Sequence, residues 1–165
     1  MTQDLESSLD RRDRLELRAW LRLLTCTTII SARVRQSLRE KFATTLPRFD
    51  VLAQLARVPK GLLMSELSQR LMVTGGNVTA LVDRLETEGH VSRESDKSDR
   101  RKQIIRLTDQ GHRRFEAMAP AHQTWIDDML AGMDRQQLEN FYALLGALKT
   151  SIESASQRPP RSATP

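Results

Sequence analysis

The stretch SDKSDRRKQ, residues 95–103, concentrates charge in a short segment of the chain. Six of its nine residues are charged: Asp96, Lys97, Asp99, Arg100, Arg101 and Lys102. Between residues 97 and 106 there are five cations and one acid. Cations at this density bind phosphate groups, and a guanidinium also fits the narrow, strongly negative minor groove of DNA. The same composition is typical of a solvated hairpin tip that prevents edge-to-edge aggregation.

A second group of small and polar residues precedes this stretch, in TGGNVTALVDR at 74–84. Asparagine and arginine make bidentate contacts with adenine and guanine, and small residues at a helix N-terminus let the backbone approach a phosphate. In an isolated helix, the same residues are simply the polar side opposite an apolar stripe. The candidate base and phosphate contacts are Thr74, Gly75, Gly76, Asn77, Thr79, Ala80 and Arg84.

The elements around both groups form a recognisable order. Apolar residues at 78, 81, 82 and 85 predict an amphipathic helix, which Gly89 is placed to end. A shorter helix precedes it, with Ser65 as the predicted N-cap. Strands at 91–94 and 103–107 flank the charged stretch and predict a β-hairpin. Two short helices followed by a hairpin indicate a winged helix-turn-helix, whose second helix enters the major groove.

The flanking segments predict long helices with apolar seams. Residues 9–44 contain no glycine or proline and carry one apolar stripe. The last helix spaces Leu138, Phe141, Leu145, Leu148 and Ile152 in steps of three and four, which is typical of a coiled-coil seam. We therefore expect a mostly α fold with a small β-hairpin wing. It comprises a winged helix-turn-helix lobe at 46–108, N- and C-terminal dimerisation helices at 9–44 and 109–154, and a disordered tail at 155–165.

Whole-chain properties exclude several classes of protein. The chain has 165 residues, a net charge of +5 and one cysteine, Cys26, which excludes an internal disulfide and fits a reducing cytoplasm. No apolar run is long enough to span a membrane. The three histidines lie in different predicted elements, without metal-ligand spacing, and no P-loop or dinucleotide fingerprint is present. We therefore predict neither an enzyme nor a metal or cofactor site.

From Leu46 to Gly111 the sequence resembles the MarR family of transcriptional regulators. The resemblance lies in LPRFDVLAQL, in MSELSQRLMVTGGNVTALVDRLETEGHVSRE and in DRRKQIIRLTDQG. It implies a homodimer, in which the first and last helices interlock and each subunit offers one winged helix-turn-helix. Such dimers bind palindromic operators in double-stranded DNA, mostly as repressors, and release them when a small molecule or an oxidant binds.

The resemblance also implies roles for individual residues. Residues 74–84 become the recognition helix, and Arg101 matches the wing arginine that enters the minor groove. Asp99 matches the acid that orients this arginine, while Arg100 and Lys102 would contact phosphates. Ser65, at the start of the preceding helix, completes the predicted DNA-binding set.

An effector pocket is implied between the dimerisation helices and the DNA-binding lobe. Many relatives bind aromatic carboxylates or their coenzyme A thioesters and control genes for aromatic compound catabolism, so we expect an anionic effector. Each candidate residue is equally compatible with core packing or, for the arginines, with an ordinary surface position. The candidates are Trp20, Leu24, Thr27, Ile30, Arg48, Phe49 and Arg93.

Two alternatives remain open at this point. Cys26 lies on the first predicted helix, as in peroxide-sensing relatives, but about one turn further along, and the tyrosine partners of those relatives are missing. A redox-sensing repressor is therefore a weaker hypothesis. A winged helix used only for protein contacts is the other, although such a module does not need an aspartate-oriented arginine at its wing.

Overall fold

Six helices and three short strands make up the part of the chain that the computed structural model describes, residues 15–71, 75–95, 99 and 102–156. The predicted fold class is confirmed. Residues 9–14 of the predicted first helix and most of the predicted tail lie outside the described residues. In chain order the elements are α1 (Leu15–Phe42), α2 (Leu46–Ala56), β1 (Leu62–Leu63), α3 (Met64–Leu71), α4 (Gly75–Thr87), β2 (Val91–Ser95), β3 (Gln103–Leu107), α5 (Asp109–Leu130) and α6 (Arg135–Ser156).

The three strands form one antiparallel sheet in the order β1-β3-β2. The predicted hairpin is confirmed, with Val91 opposite Leu107 and Ser95 opposite Gln103. Strand β1 was not predicted, because two residues are too short to show a periodic pattern. Gly61 precedes it with φ +82°, and a Cβ there would lie 2.6 Å from the Ile105 carbonyl oxygen. Only glycine allows this turn to approach β3 so closely.

Local capping fixes both ends of the wing. Gly89 has φ +75°, and the Gly89 and His90 amides donate to the Glu86 and Leu85 carbonyls, which is a Schellman ending for α4. At the start of α5, the Gly111 amide donates to Thr108 Oγ1 at 3.0 Å, so Thr108 is the N-cap as predicted.

The predicted N-cap of α3 is wrong. Helix α3 begins at Met64, so Ser65 lies inside its first turn. The amide of Leu63 donates to Glu66 Oε2 at 2.8 Å, which places the capping carboxylate three residues after Leu63. Serine is a favoured N-cap residue, but β1 ends at Leu63 and α3 begins directly after it.

One apolar core joins the winged helix-turn-helix to its neighbours. Helix α4 contributes Val78, Val82 and Leu85, each at most 1% exposed, and β3 contributes Ile105. Full burial of each such side chain stabilises the fold by about 2 kcal/mol. The other buried apolar residues are Val34, Leu38, Phe49, Val51, Leu52, Leu55, Leu62, Leu67, Val91 and Met118. This core orients α4 relative to α2, α3 and the sheet.

The chain divides into two compact units between Ile126 and Asp127. Within the second unit, none of the residues of α6 is buried. Its predicted seam includes Phe141, Leu148 and Ile152, which are 40%, 41% and 57% exposed. Helix α6 therefore presents an apolar face that this single chain leaves uncovered.

Candidate DNA-binding surface and effector cavity

Helix α4 separates its polar residues from the core. Gly76, Asn77, Thr79, Ala80 and Arg84 are exposed, on the side opposite the buried apolar residues of the same helix. Gly75 is its first residue, and Ser65 is exposed on α3. The structure therefore presents most of the predicted base-reading residues on one solvent-facing helix, as a helix in the major groove requires.

The wing tip is described only in part. Thr74, Arg100 and Arg101 lie outside the described residues, so their predicted DNA contacts stay predictions. Lys102 is exposed, and its amide donates to the Asp99 carbonyl at 2.8 Å. This bond lies just before β3, where the sequence predicted the end of the charged loop.

An arginine links α4 to the wing. Arg93 on β2 forms an ion pair with Asp83, and its Nε lies 3.1 Å from Glu86 Oε2. Both carboxylates belong to α4. The sequence predicted Arg93 as an effector contact, whereas the structure places it between two carboxylates that fix α4 against the hairpin. The partners are seven and ten residues away in sequence, across a helix end and a turn, so no periodic pattern indicated them.

A second arginine has a similar structural role in the wing. Arg106 on β3 forms an ion pair with Glu94 of β2, and its Nε donates to the Lys60 carbonyl at 2.9 Å. The sequence counts this residue among the cations of the charged stretch. Its guanidinium instead joins β2 to the turn that precedes β1, so it adds rigidity to the sheet.

The predicted effector residues fall into separate places. Trp20 is 56% exposed, and Thr27 is also exposed, with its Oγ1 donating to the Leu24 carbonyl one turn earlier. Leu24 and Ile30 are half-buried on the same helix. Phe49 is buried and stacks on His122, with 4.7 Å between ring centroids, and also packs against Phe115 at 5.8 Å. Phe49 therefore belongs to an aromatic cluster that joins α2 to α5.

A cavity of about 190 Å³ contains Arg48 but none of the other predicted effector residues. Arg48 forms an ion pair with Glu88, and His90 Nε2 lies 3.7 Å from the same carboxylate oxygen. Arg114 donates to the carbonyl of Phe42. Glu88, His90 and Arg114 were not predicted as site residues, because three separate segments of the chain supply the polar groups. The cavity is lined by Ala43, Thr44, Arg48, Leu52, Leu85, Glu88, His90 and Arg114.

The electrostatic environment of this cavity is positive. Burial lowers the pKa of Arg48, and the positive charges of Arg114 and Arg84 lower it further. Burial also lowers the pKa of His90, followed by the charges of Arg114 and Arg48. The arginines remain charged at neutral pH, so the site favours a negatively charged guest.

Other kinds of site are not evident in the described ranges. Those residues contain no group of three or more metal-ligating side chains, and none of their helices is long and apolar enough to cross a membrane. Cys26 is exposed on α1.

A sequence model described as "MarR family" matches residues 44–102, from just after α1 to the residue before β3. An uncharacterized HTH-type transcriptional regulator of Bacillus cereus is 32% identical over 123 residues, which cover 72% of this chain and 80% of the relative. The chain belongs to the MarR family. This MarR-family protein is therefore a DNA-binding transcriptional regulator rather than an enzyme.

Solved MarR-family structures share its fold. Sco3205 of Streptomyces coelicolor, solved in complex with DNA, superposes with a TM-score of 0.75 at 24% identity, over 90% of this chain and 94% of that one. PcaV of the same organism, solved in complex with its natural ligand, gives a TM-score of 0.66 at 21% identity, over 87% and 97% of the two chains. At these identities the likeness concerns the arrangement of helices and wing.

Proposed function

We propose that this MarR-family regulator is a homodimeric repressor that binds a palindromic operator and releases it when a small anionic effector binds. The observation that carries the proposal is the exposed polar face of α4, held against the wing by Arg93. A helix fixed in this way can insert its N-terminal residues into the major groove without losing much conformational freedom.

The DNA contacts are proposed to divide by role. Asn77 and Arg84 carry side chains able to read base edges, while Gly75 and Gly76 let the start of α4 approach a phosphate. We propose that Arg101 enters the adjacent minor groove, oriented by Asp99. The DNA complex of Sco3205 supports this use of the fold, since that protein has the same arrangement of helices and wing.

Homodimer formation is supported by the uncovered apolar face of α6. Phe141, Leu148 and Ile152 belong to the seam with steps of three and four residues, and they remain 40–57% exposed. Such a face needs an apolar partner, and a second copy supplies the same face by symmetry. A twofold dimer would place two α4 helices on one side of DNA, which matches operator half-sites about 34 Å apart.

The effector is proposed to be an aromatic carboxylate or its coenzyme A thioester, as the family resemblance implies. PcaV, with the same fold, was solved with its natural ligand. Effector binding would favour a dimer geometry in which the two recognition helices no longer match successive major grooves. The sign of regulation follows from this scheme: the free protein represses and the bound protein does not.

The direct test uses the full chain and DNA from the region upstream of its own gene. Fluorescence anisotropy should show saturable binding that weakens steeply with salt, and light scattering should give twice the monomer mass. In vitro transcription from that promoter should fall when the protein is added. A monomer, a flat salt dependence or promoter affinity equal to that for random DNA would contradict the proposal.

A further inference from the structure

The cavity beside Arg48 holds more hydrogen-bond donors than its own acid can satisfy. Three basic side chains, Arg48, His90 and Arg114, line it together with one carboxylate, Glu88. The Arg48 and His90 side chains are 21% and 15% exposed. Arg48 Nε and His90 Nδ1 are buried and have no hydrogen-bond partner among the described residues. Buried polar groups in this state are uncommon and point to a missing acceptor.

The position of Glu88 connects this cavity to the recognition helix. Glu88 directly follows α4, and its amide donates to the Arg84 carbonyl at 3.0 Å. Its carboxylate reaches across to Arg48 near the start of α2. Leu85, in the last turn of α4, also lines the cavity. The Arg48–Glu88 pair therefore joins the C-terminal end of the recognition helix to α2.

We propose that this cavity binds a small oxyanion, a carboxylate or a phosphate, which displaces the Glu88 carboxylate from Arg48. The incoming oxyanion accepts hydrogen bonds from Arg48 and Arg114, and from His90 Nδ1 in the tautomer that carries a proton there. Charge-assisted bonds to two guanidinium groups offset the loss of one ion pair that was partly open to solvent.

The volume and connections of the cavity define the ligand and its effect. A volume of about 190 Å³ suits a compact anion and is too small for a whole coenzyme A thioester. Release of Glu88 removes the ion pair that joins the end of α4 to α2, while Leu85 and Leu52 remain buried in the core. This regulatory consequence rests on the proposed DNA-binding function, whereas anion binding itself does not.

Binding is tested on the full chain without DNA. Calorimetric titrations with sodium benzoate and with sodium phosphate are compared with sodium chloride at matched ionic strength. We expect saturable binding of benzoate, phosphate or both, and the arm that succeeds identifies the kind of oxyanion. Nuclear magnetic resonance of histidine ring protons should show a shift for His90. Heat changes no larger than those with chloride in both arms would overturn the proposal.

Charge-removing variants distinguish an anion site from a structural ion pair. Arg48→Gln and Arg114→Gln should each weaken anion binding about tenfold or more, because each removes a charged donor. Glu88→Gln should instead strengthen binding several-fold, on the order of one lost competing ion pair. Arg106→Gln is the matched control, since it removes the same charge outside the cavity.

The Glu88→Gln variant tests the displacement of Glu88 even if an arginine variant fails to fold. An affinity in this variant equal to or below that of the natural chain refutes displacement of Glu88. Equal losses in Arg106→Gln and Arg48→Gln refute the location of the site. Hydrogen exchange supplies a second measurement: benzoate or phosphate should speed amide exchange in residues 84–90 of the natural chain.

A final arm separates this proposal from the DNA-binding function. Promoter DNA labelled for anisotropy should be released by the binding anion from the natural chain and retained by Arg114→Gln, which loses a proposed anion contact while the Arg48–Glu88 pair stays in place. If calorimetry shows anion binding but the free protein does not bind the promoter, the proposed regulatory function is refuted and the anion site is retained. If the protein binds the promoter but no anion, the anion site is refuted and the proposed regulatory function is retained.

Discussion

Substitution of Gly111 by alanine gives a direct test of how α5 is joined to the wing. A Cβ at Gly111 would lie 2.0 Å from the His90 carbonyl oxygen, 3.0 Å from its carbonyl carbon and 3.1 Å from Leu107 Cδ2. The nearest atom belongs to the backbone, so no side-chain rotation can relieve the overlap. The added methyl group must therefore push the start of α5 away from residue 90.

The expected magnitude follows from two opposing effects. Overpacking of a tight contact costs about 1–3 kcal/mol, and an overlap with backbone falls at the upper end of that range. Replacing a helical glycine by alanine raises the free energy of unfolding by about 0.5–1 kcal/mol. A shift also threatens the bond from the Thr108 amide to the His90 carbonyl, which is 3.1 Å long. We expect a net loss of about 2 kcal/mol in the free energy of unfolding.

Urea unfolding followed by circular dichroism measures this loss. Gly76→Ala is the control, because Gly76 is also helical and a Cβ there would meet nothing within 4 Å among the described residues. We expect the control to be neutral or up to about 1 kcal/mol more stable than the natural chain. If Gly111→Ala matched the natural chain in stability, the close approach of α5 to residue 90 would be wrong.

Three further predictions concern DNA, pH and redox chemistry. Arg101→Ala should weaken promoter binding by about 1–3 kcal/mol in anisotropy titrations at physiological salt, and unchanged affinity would exclude Arg101 from the groove. Burial lowers the pKa of His122 below 6.5, so the unfolded chain binds more protons and stability should fall as pH drops through 6.5. His122→Phe, which keeps a ring against Phe49, should show a smaller loss of urea midpoint between about pH 7.5 and about pH 5.5, while an identical loss would show that His122 does not titrate in this way. Cys26→Ser should leave promoter binding unchanged, and the anion should still release DNA from this variant. If peroxide releases DNA from the natural chain but not from Cys26→Ser, the redox alternative is established.

The sequence predicted the elements whose patterns are local. The hairpin strands, the Gly89 ending of α4 and the Thr108 cap of α5 depend on residues within a few positions of one another, and the structure confirms them. Helix α4 could also be predicted from the sequence, since the spacing of its apolar residues shows which side is buried.

Other features depend on residues that are distant in sequence. The cavity combines Arg48 with Glu88 across 40 residues, and Arg114 comes from a further helix. Nothing in the spacing of such charges shows that they meet. The position of Arg93 at the base of the wing predicts a contact with an anionic effector. Its two acidic partners on α4 become apparent only from the three-dimensional position of that helix. Helix α3 begins before the predicted cap Ser65, and the sequence did not predict this start because a two-residue strand precedes the helix.

The backbone of His90 has a consequence for how this protein can diversify. Its amide closes the end of α4, its carbonyl accepts from the Thr108 amide, and Gly111 rests against that carbonyl. Both ends of the hairpin are thus anchored at one point on the scaffold. The segment between β2 and β3 can therefore vary in evolution while the frame that holds α4 stays the same.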